Sequence, residues 1–451
     1  MTGDLSRLAS SLVDRAAPGE QVEAFLAHER TFAVKTYLGE VESISAAKPR
    51  GAGVRVIVDG RAGFAYTTDL DDSGLDDVVS RARESSRFAT EDEAVGVADA
   101  WTEAPSDVEG LIDPTLVEIT PDQKVAFAVE LERATRTADK RIRTVEEAMY
   151  ADSESTVAIA TTTGLTGTYS STDAWCYSYA IAAEGDDTQV GFEFDVARGF
   201  GGLDGAAVAA RAAERAVGTL GASKIPSARM PVVFDRYVAG QFLGVLARAL
   251  TAESVQKGRS LFAGKLDERV AAETLSLVDD GRVPGAPGSA PWDAEGTPTQ
   301  RTQVIGDGTL RSYLYDLTSA RREGKRSTGN ATRAGFKSAP GISPTNLAFE
   351  PFGGSAADVM QDAGRALLVQ DFHGVHSGAN AVSGYFSVGA TGRLLESGSL
   401  GRPVKEVTIA APMLDILKGI VAVADDRRWL PFGGSYGGAT TLVAEMTIAG
   451  A

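Results

Sequence analysis

Cysteine is nearly absent from this 451-residue chain: there is one, Cys176. A single thiol excludes an internal disulfide and suits a reducing compartment. Histidine is scarce too, with only His28, His373 and His376. No apolar run approaches the ~20 residues that a membrane-spanning helix needs, so no membrane association is expected. The opening stretch, MTGDLSRLASSLVDRAAPGE, carries acids and no long apolar core, so no secretory leader is expected and the cytoplasm is the expected location. Positive charge is the minority, 44 Lys and Arg against 61 Asp and Glu, for a net charge of −17. That balance is unsuited to a phosphate backbone, and no nucleic-acid partner is expected. There is no Walker loop and no Gly-x-Ser-x-Gly elbow. The pair Gly51-x-Gly53 precedes an expected strand rather than a helix, so it is not a dinucleotide fingerprint.

What is present is the composition of a globular protein, 43% hydrophobic and 23% charged, with 50 glycines for tight turns. The length is too great for one core, and two domains are expected, 1–225 and 226–451, divided near Ser223 to Ser227. In the first, residues 5–16 form an amphipathic helix. Residues 21–27 and 31–38 read as strands, with His28 between them in a hairpin. Residues 54–58 and 63–67 pair across Asp59-Gly60. A helix follows over 75–88, then an acidic loop over 91–113. Thr120-Pro121-Asp122 starts a helix that runs to about Ala138. Four strands over 141–149, 155–161, 165–171 and 175–183 make an antiparallel meander, and 205–220 is helical.

The stretch from Pro231 to Gly354 organises the rest. Residues 231–234 read as a strand. Residues 236–250 read as a helix, with Val238, Phe242, Val245, Leu246 and Ala249 recurring at three and four. A strand over 271–278 ends at Asp279-Asp280-Gly281. Residues 303–305 and 310–315 form a hairpin across Gly306-Asp307-Gly308. Beyond it come a short helix or turn over 356–363, strands over 366–371, 381–388, 391–396 and 404–409, a helix over 413–421 and a closing strand over 440–448. Helices and strands are grouped rather than alternating, so the fold class is α+β.

Few residues carry chemistry. His373 and His376, with Asp371, read as a polar loop between strands; holding a metal or lining a peptide cleft is the sharper alternative. Asp279-Asp280 and Asp293-x-Glu295 are acidic pairs of the kind that do acid–base work or bind divalent cations, and also of the kind that make turns. Arg321-Arg322-x-x-Lys325-Arg326 is a basic cluster in an acidic protein. It reads as a solvated face or as a contact for an acidic partner or a peptide carboxylate, and Asn330 follows closely enough to share such a site.

Several phrases recur in one order: Gly51-x-Gly53-Val54-Arg55-Val56, Lys257-Gly258-x-Ser260-x-Phe262, Val278-Asp279-Asp280-Gly281, Asp293-x-Glu295-Gly296-x-Pro298-Thr299-Gln300, Tyr313-Leu314-x-Asp316, Thr328-Gly329-Asn330 and Ser383-Gly384-x-Phe386-Ser387-x-Gly389-Ala390. In these the chain resembles the TldD/PmbA family, the "modulator of DNA gyrase" proteins that form metallopeptidase complexes. The resemblance implies a mixed helix and antiparallel-sheet first half and a β-rich second half. In the TldD-like branch, a His-Glu-x-x-x-His helix and a later cysteine bind zinc. A count back from Lys257-Gly258 puts those positions at about Leu243, Gly244 and Arg248, and the cysteine near Gly434-Ser435-Tyr436. None of these is a zinc ligand, which matches the PmbA (TldE) branch. The resemblance therefore implies no catalytic residue, metal or cofactor in this chain. It implies zinc in a TldD-like partner, a heterodimer with that partner or a homodimer, and a peptide substrate, with Arg321, Asn330, His373 and His376 as candidate peptide or partner contacts. A stand-alone hydrolase with another metal site, and a non-enzymatic regulatory or binding homodimer, are the alternatives.

Overall fold

From Thr172 to Ala182 every even-numbered residue of one strand is buried, while the odd-numbered ones between them are half-buried or exposed. The buried set is small (Ala174, Cys176, Ser178, Ala180, Ala182), so helices approach that face closely. In the computed structural model, which describes residues 2–431 and 433–450, this strand belongs to the sheet of the first half. The order there is α1 (Thr2–Val13), β1 (Gln21–Tyr37), β2 (Glu40–Ala47), β3 (Arg50–Val58), β4 (Arg61–Thr67), α2 (Asp72–Ser86), α3 (Pro121–Thr137), β5 (Ile142–Thr161), β6 (Thr166–Glu184), β7 (Asp187–Ala197) and α4 (Gly205–Gly218). The sheet is antiparallel in the order β4-β3-β1-β5-β6-β7. The outer half of β1 leaves β3 and pairs with β2, every residue of which is exposed. Asp71 caps α2, and Thr120 caps α3 in a capping box.

Residues 21–38 are not two strands but one, and the four strands expected over 141–183 are two long ones. The polar interruptions that suggested breaks do not stop the ladder, because a partner continues through them: His28 lies opposite Thr156 and Arg30 opposite Glu154. His28 therefore sits within β1, not in a hairpin.

The second half runs β8 (Ala228–Phe234), α5 (Arg236–Ala249), α6 (Ala252–Gln256), β9 (Leu277–Asp280), β10 (Arg301–Gly306), β11 (Thr309–Leu310), α7 (Leu317–Arg322), β12 (Ala331–Thr332), β13 (Gly341–Ile342), β14 (Leu347–Phe349), α8 (Ala356–Asp362), β15 (Arg365–His373), α9 (Val375–Gly378), β16 (Ala379–Asn380), β17 (Tyr385–Glu396), β18 (Ser399–Pro412), α10 (Met413–Gly419), β19 (Ile420–Val423), β20 (Arg428–Leu430), β21 (Tyr436–Gly438) and β22 (Thr441–Ala449). The strands β15-β8-β22-β18-β17 lie side by side, and β17 pairs back with β15, which closes a barrel. A second sheet has the order β11-β10-β9-β14-β21-β20.

Between barrel and sheet lies α5. Its N-cap Asp235 accepts the backbone N–H groups of Tyr237 and Val238. On the barrel side Phe242 closes a circuit of rings with Phe234, Phe372 and Phe386, with centroids 5.4 to 5.9 Å apart. On the sheet side, Gly240 and Gly244 let Leu430 and Tyr436 approach; a Cβ at Gly240 would stand 2.8 Å from Leu430 Cδ1. The fold is α+β. None of the described helices is long and apolar enough to cross a membrane.

Four further expectations change. Strand β9 begins at Leu277, because the amides of Val270 and Ala271 turn to Gly308 O and that of Ala272 to Leu417 O. Strand β11 stops at Leu310, since Arg311 and Ser312 both donate to Val304 O. Residues 381–384 are a turn, where Asn380 Oδ1 accepts Val382 and Ser383 N–H, and a single strand runs from Tyr385 to Glu396. The helix begun at Met413 ends at Gly419, and β19 follows it.

The two halves meet tightly along β3. A Cβ at Gly53 would stand 2.3 Å from the Phe336 carbonyl oxygen. Gly53→Ala should therefore destabilise the protein by about 1–3 kcal/mol through overpacking, read as a lowered thermal unfolding midpoint. An unchanged midpoint would mean that the two halves do not touch at this point.

Candidate functional site

Where the odd face of β6 turns toward the second half, a cleft of about 1230 Å³ opens between the two. Phe25, Tyr169 and Trp175 line one wall; Trp292, Arg333 and the Gly433-Gly434-Ser435 segment line the other. Tyr169 meets Trp292 edge to face, with centroids 4.8 Å apart. Three carboxylates, Glu29, Asp173 and Asp293, also face the cleft. Asp173 pairs with Arg198 at 3.0 Å, and burial pushes its carboxyl up to about 6.

At one end of the cleft four buried charges join the halves. Arg55 of β3 pairs with Glu23 of β1 at 2.7 Å and with Glu295 at 3.1 Å. Arg333 pairs with the other oxygen of Glu23, and its guanidinium lies 5.0 Å from the centre of the Phe25 ring. Burial opposes the charge on Arg55, but Glu23 and Glu295 more than offset it and hold the guanidinium protonated. Two positive and two negative charges thus share a site from which water is excluded.

The other phrases singled out in the sequence gather nearby. Asp293 is a turn-former: it accepts the backbone N–H groups of Glu295, Thr297 and Ala331, each at 2.9 Å. Burial, then the neighbouring Glu295, push it up to about 8. Asp279 is buried in β9, where it accepts from Asn330 Nδ2 at 2.6 Å and Thr345 Oγ1 at 2.9 Å, and burial pushes it up to about 6. Thr328 donates to Asn330 Oδ1 at 2.6 Å. Asn330 is thus a buried knot between segments, beneath the cleft wall formed by Ala331 and Thr332.

The remaining candidates lie elsewhere. Arg321 donates to Val97 O at 2.7 Å, and Arg322 pairs with Asp92 at 2.5 Å. Two of the four cations in the basic cluster therefore meet the acidic 91–113 loop of their own chain, while Lys325 pairs with Glu323 at 3.0 Å. His373 ends β15, with Nε2 2.8 Å from Thr391 Oγ1, and His376 sits in the short helix α9 rather than in a loop. Among the described residues no group of three or more His, Cys, Asp or Glu is placed to hold a metal.

The two segments that the resemblance pairs in zinc binding are neighbours in space. Tyr436 lies over α5 at Gly244, where a Cβ would stand 3.2 Å from its ring. Burial pushes the phenol up, and its hydroxyl donates to Gly433 O at 3.0 Å. Leu243 is fully buried in the core, Arg248 is exposed, and Ser435 Oγ donates to Asn346 Oδ1 at 2.8 Å. An aliphatic chain, a glycine and a guanidinium provide none of the N, S or carboxylate donors that zinc takes. These residues do not fit the metal.

The charge network was not singled out as a site from the sequence, although Arg55 and Glu295 lie in two of the recurring phrases. The aromatic wall of Tyr169, Trp175 and Trp292 was missed. In β6 the only signal was aromatic residues at odd positions along an alternating strand.

Compared with known proteins, residues 22–86, 114–220 and 227–450 match the PmbA/TldA metallopeptidase domain 1, central domain and C-terminal domain. The chain is 29% identical to "Metalloprotease PmbA" of Escherichia coli O157:H7 over 443 residues, covering 96% of this chain and 94% of that one. Its structure is similar to a putative modulator of a DNA gyrase from Thermotoga maritima MSB8, with a TM-score of 0.89, 25% identity and full coverage of both chains. It also shares its fold with TldE from Thermococcus kodakarensis, with a TM-score of 0.87, 22% identity and 99% of both chains covered.

Two outcomes are expected. Arg55→Met leaves Glu23 and Glu295 buried with one cation fewer, and should lower stability by about 3–5 kcal/mol, measured by denaturant unfolding. Little change would mean that these ion pairs are not formed in solution. Asp173 binds its proton more tightly folded (about 6) than at its ordinary 3.8. The contribution of this group to stability therefore falls as pH rises from about 4 to about 6, and levels off above. Asp173→Asn should flatten that part of a plot of unfolding midpoint against pH, and an unaltered slope would contradict it.

Proposed function

The chain belongs to the PmbA/TldD metallopeptidase family, and from that premise we propose that it is the zinc-less, PmbA/TldE-type subunit of a cytoplasmic peptidase complex. Its partner is a TldD-type chain that carries the zinc, where the metal lowers the pKa of a bound water. This chain contributes dimer surface and a substrate wall. In this reading residues 1–225 and 226–451 act as two units, and the cleft between them receives an unfolded or small peptide.

The observation that carries the reading is α5. Leu243, Gly244 and Arg248 occupy the positions that the resemblance gives to two imidazoles and a carboxylate, and the helix serves as core instead. The cleft supports the peptide half of the proposal. Its volume exceeds an ordinary small-molecule pocket, which suits an extended segment and excludes a folded domain. Phe25, Tyr169, Trp175 and Trp292 provide apolar faces, and Glu29 and Asp173 are acceptors for the backbone or for basic side chains.

The test is zinc content and peptide cleavage of the purified chain, alone and mixed with a TldD-type chain from the same cell. The chain alone should hold no stoichiometric zinc and cleave nothing, and the mixture should cleave. Zinc and turnover in the chain alone would overturn the assignment. In the active mixture, Trp175→Ala in this chain should raise KM about tenfold or more with a smaller change in kcat, as for lost substrate binding.

A further inference from the structure

A second cavity, of about 630 Å³, lies farther along the same face of the first sheet. The register of β6 and β7 places Trp175 beside Val196, Tyr177 beside Phe194 and Tyr179 beside Phe192. Trp175 and Val196 belong to the peptide cleft, Tyr179 and Phe192 to the second cavity. Between them the Arg428 guanidinium stacks 4.5 Å from the centre of the Phe194 ring and separates the two spaces.

One wall of this cavity is aromatic. The Tyr179 and Phe192 rings are 5.5 Å apart and Phe192 and Tyr237 are 5.8 Å apart. The facing wall comes from the barrel, where Asp371 of β15 lies opposite Thr391 of β17, with His373 two residues on. The cations nearby are engaged. Arg215 pairs with Asp235 at 2.6 Å and Glu193 at 3.3 Å, donates to Gln370 O, and covers the Tyr237 ring at 6.0 Å. Lys405 pairs with Asp187 at 3.0 Å. Asp371 is left with His373 Nδ1 at 3.9 Å, and the other nitrogen of that imidazole engages Thr391. Asp371 therefore faces the aromatic wall across an open space with no arginine or lysine among the described residues within ion-pair distance, Arg215 acting on it only from farther off, while Glu406, the other carboxylate of the cavity, pairs with Lys224. Burial pushes the Asp371 carboxyl up, and His373 and Arg215 offset only part of the shift.

We propose that this cavity binds an organic ammonium group, with Asp371 as its counter-ion and Tyr179 and Phe192 as its aromatic faces. The ring quadrupole attracts a cation held over the face, and a neighbouring carboxylate adds direct charge pairing. Anionic ligands meet Asp371 as a like charge. The site is separate from the peptide cleft and does not depend on which subunit carries zinc.

The experiment is titration calorimetry of the full chain with butylammonium, tetramethylammonium and Nα-acetyl-lysine amide, with butyrate as the counter-probe. At least one ammonium probe should saturate, and butyrate should not. Binding of the free amines identifies a small-molecule ligand, and binding of the capped lysine alone identifies a lysine side chain; each supports the proposal. Asp371→Asn should weaken binding about tenfold or more. Tyr179→Leu, at an exposed position that leaves the fold intact, should weaken it about 3- to 30-fold. Failure of every ammonium probe to saturate, butyrate binding as tightly, or full affinity in folded Asp371→Asn or Tyr179→Leu would overturn it.

Discussion

The buried charge network Arg333–Glu23–Arg55–Glu295 is the constraint on which the arrangement of the halves depends. Two of its members lie on adjacent strands of the first sheet and two on loops of the second half. Each charge removed from water must find its opposite, so only one placement of the halves leaves none unpaired. Such a network adds less to total stability than an apolar patch of equal size, but it tolerates little sliding. The cleft inherits that rigidity. Arg333 lies over Phe25 in its wall, and Trp292 and Asp293 stand just before Glu295. Asp293 holds that turn by accepting three backbone amides, so the turn, the charge network and the wall form one unit.

The second organising element is α5, which is covered on two sides. Its aromatic side completes the barrel and its glycine side admits the second sheet. A helix apolar on both faces has no need of solvent, and its N-cap Asp235 connects it outward to Arg215 of α4. Arg215 in turn reaches Glu193 of β7, so the core helix of the second half is tied to the edge of the first sheet.

How much of this was legible in the sequence depended on the range of the interaction. Local signals held: Asp59-Gly60 makes the hairpin because both residues adopt positive φ, and Thr120-Pro121 starts α3 with a capping box. The apolar spacing of α5 gave its extent nearly to the residue. What failed was continuity. His28 and Arg30 look like a break until β5 is known to run past them, and no local window contains that fact. Strand β2 has no buried face to produce an alternating pattern. The recurring phrases held Arg55 and Glu295, but Glu23 and Arg333 lie outside them, and their partnership was invisible because they stand 310 positions apart. Asp279 and Asp293 read as turn-formers by composition; only the structure shows how deeply they are buried and how many donors each collects.

The seat of Tyr436 over Gly244 makes a metal site on this helix hard to build by small steps. A glutamate at Gly244 would first have to displace the ring, and a histidine at Leu243 would sit in an apolar core with nothing to bind. Each lone replacement is worse than the present residue until all are in place and the strand beside them has moved. The helix and its covering tyrosine thus act as a ratchet: a chain that has filled this space with packing resists the return of ligands there, one residue at a time.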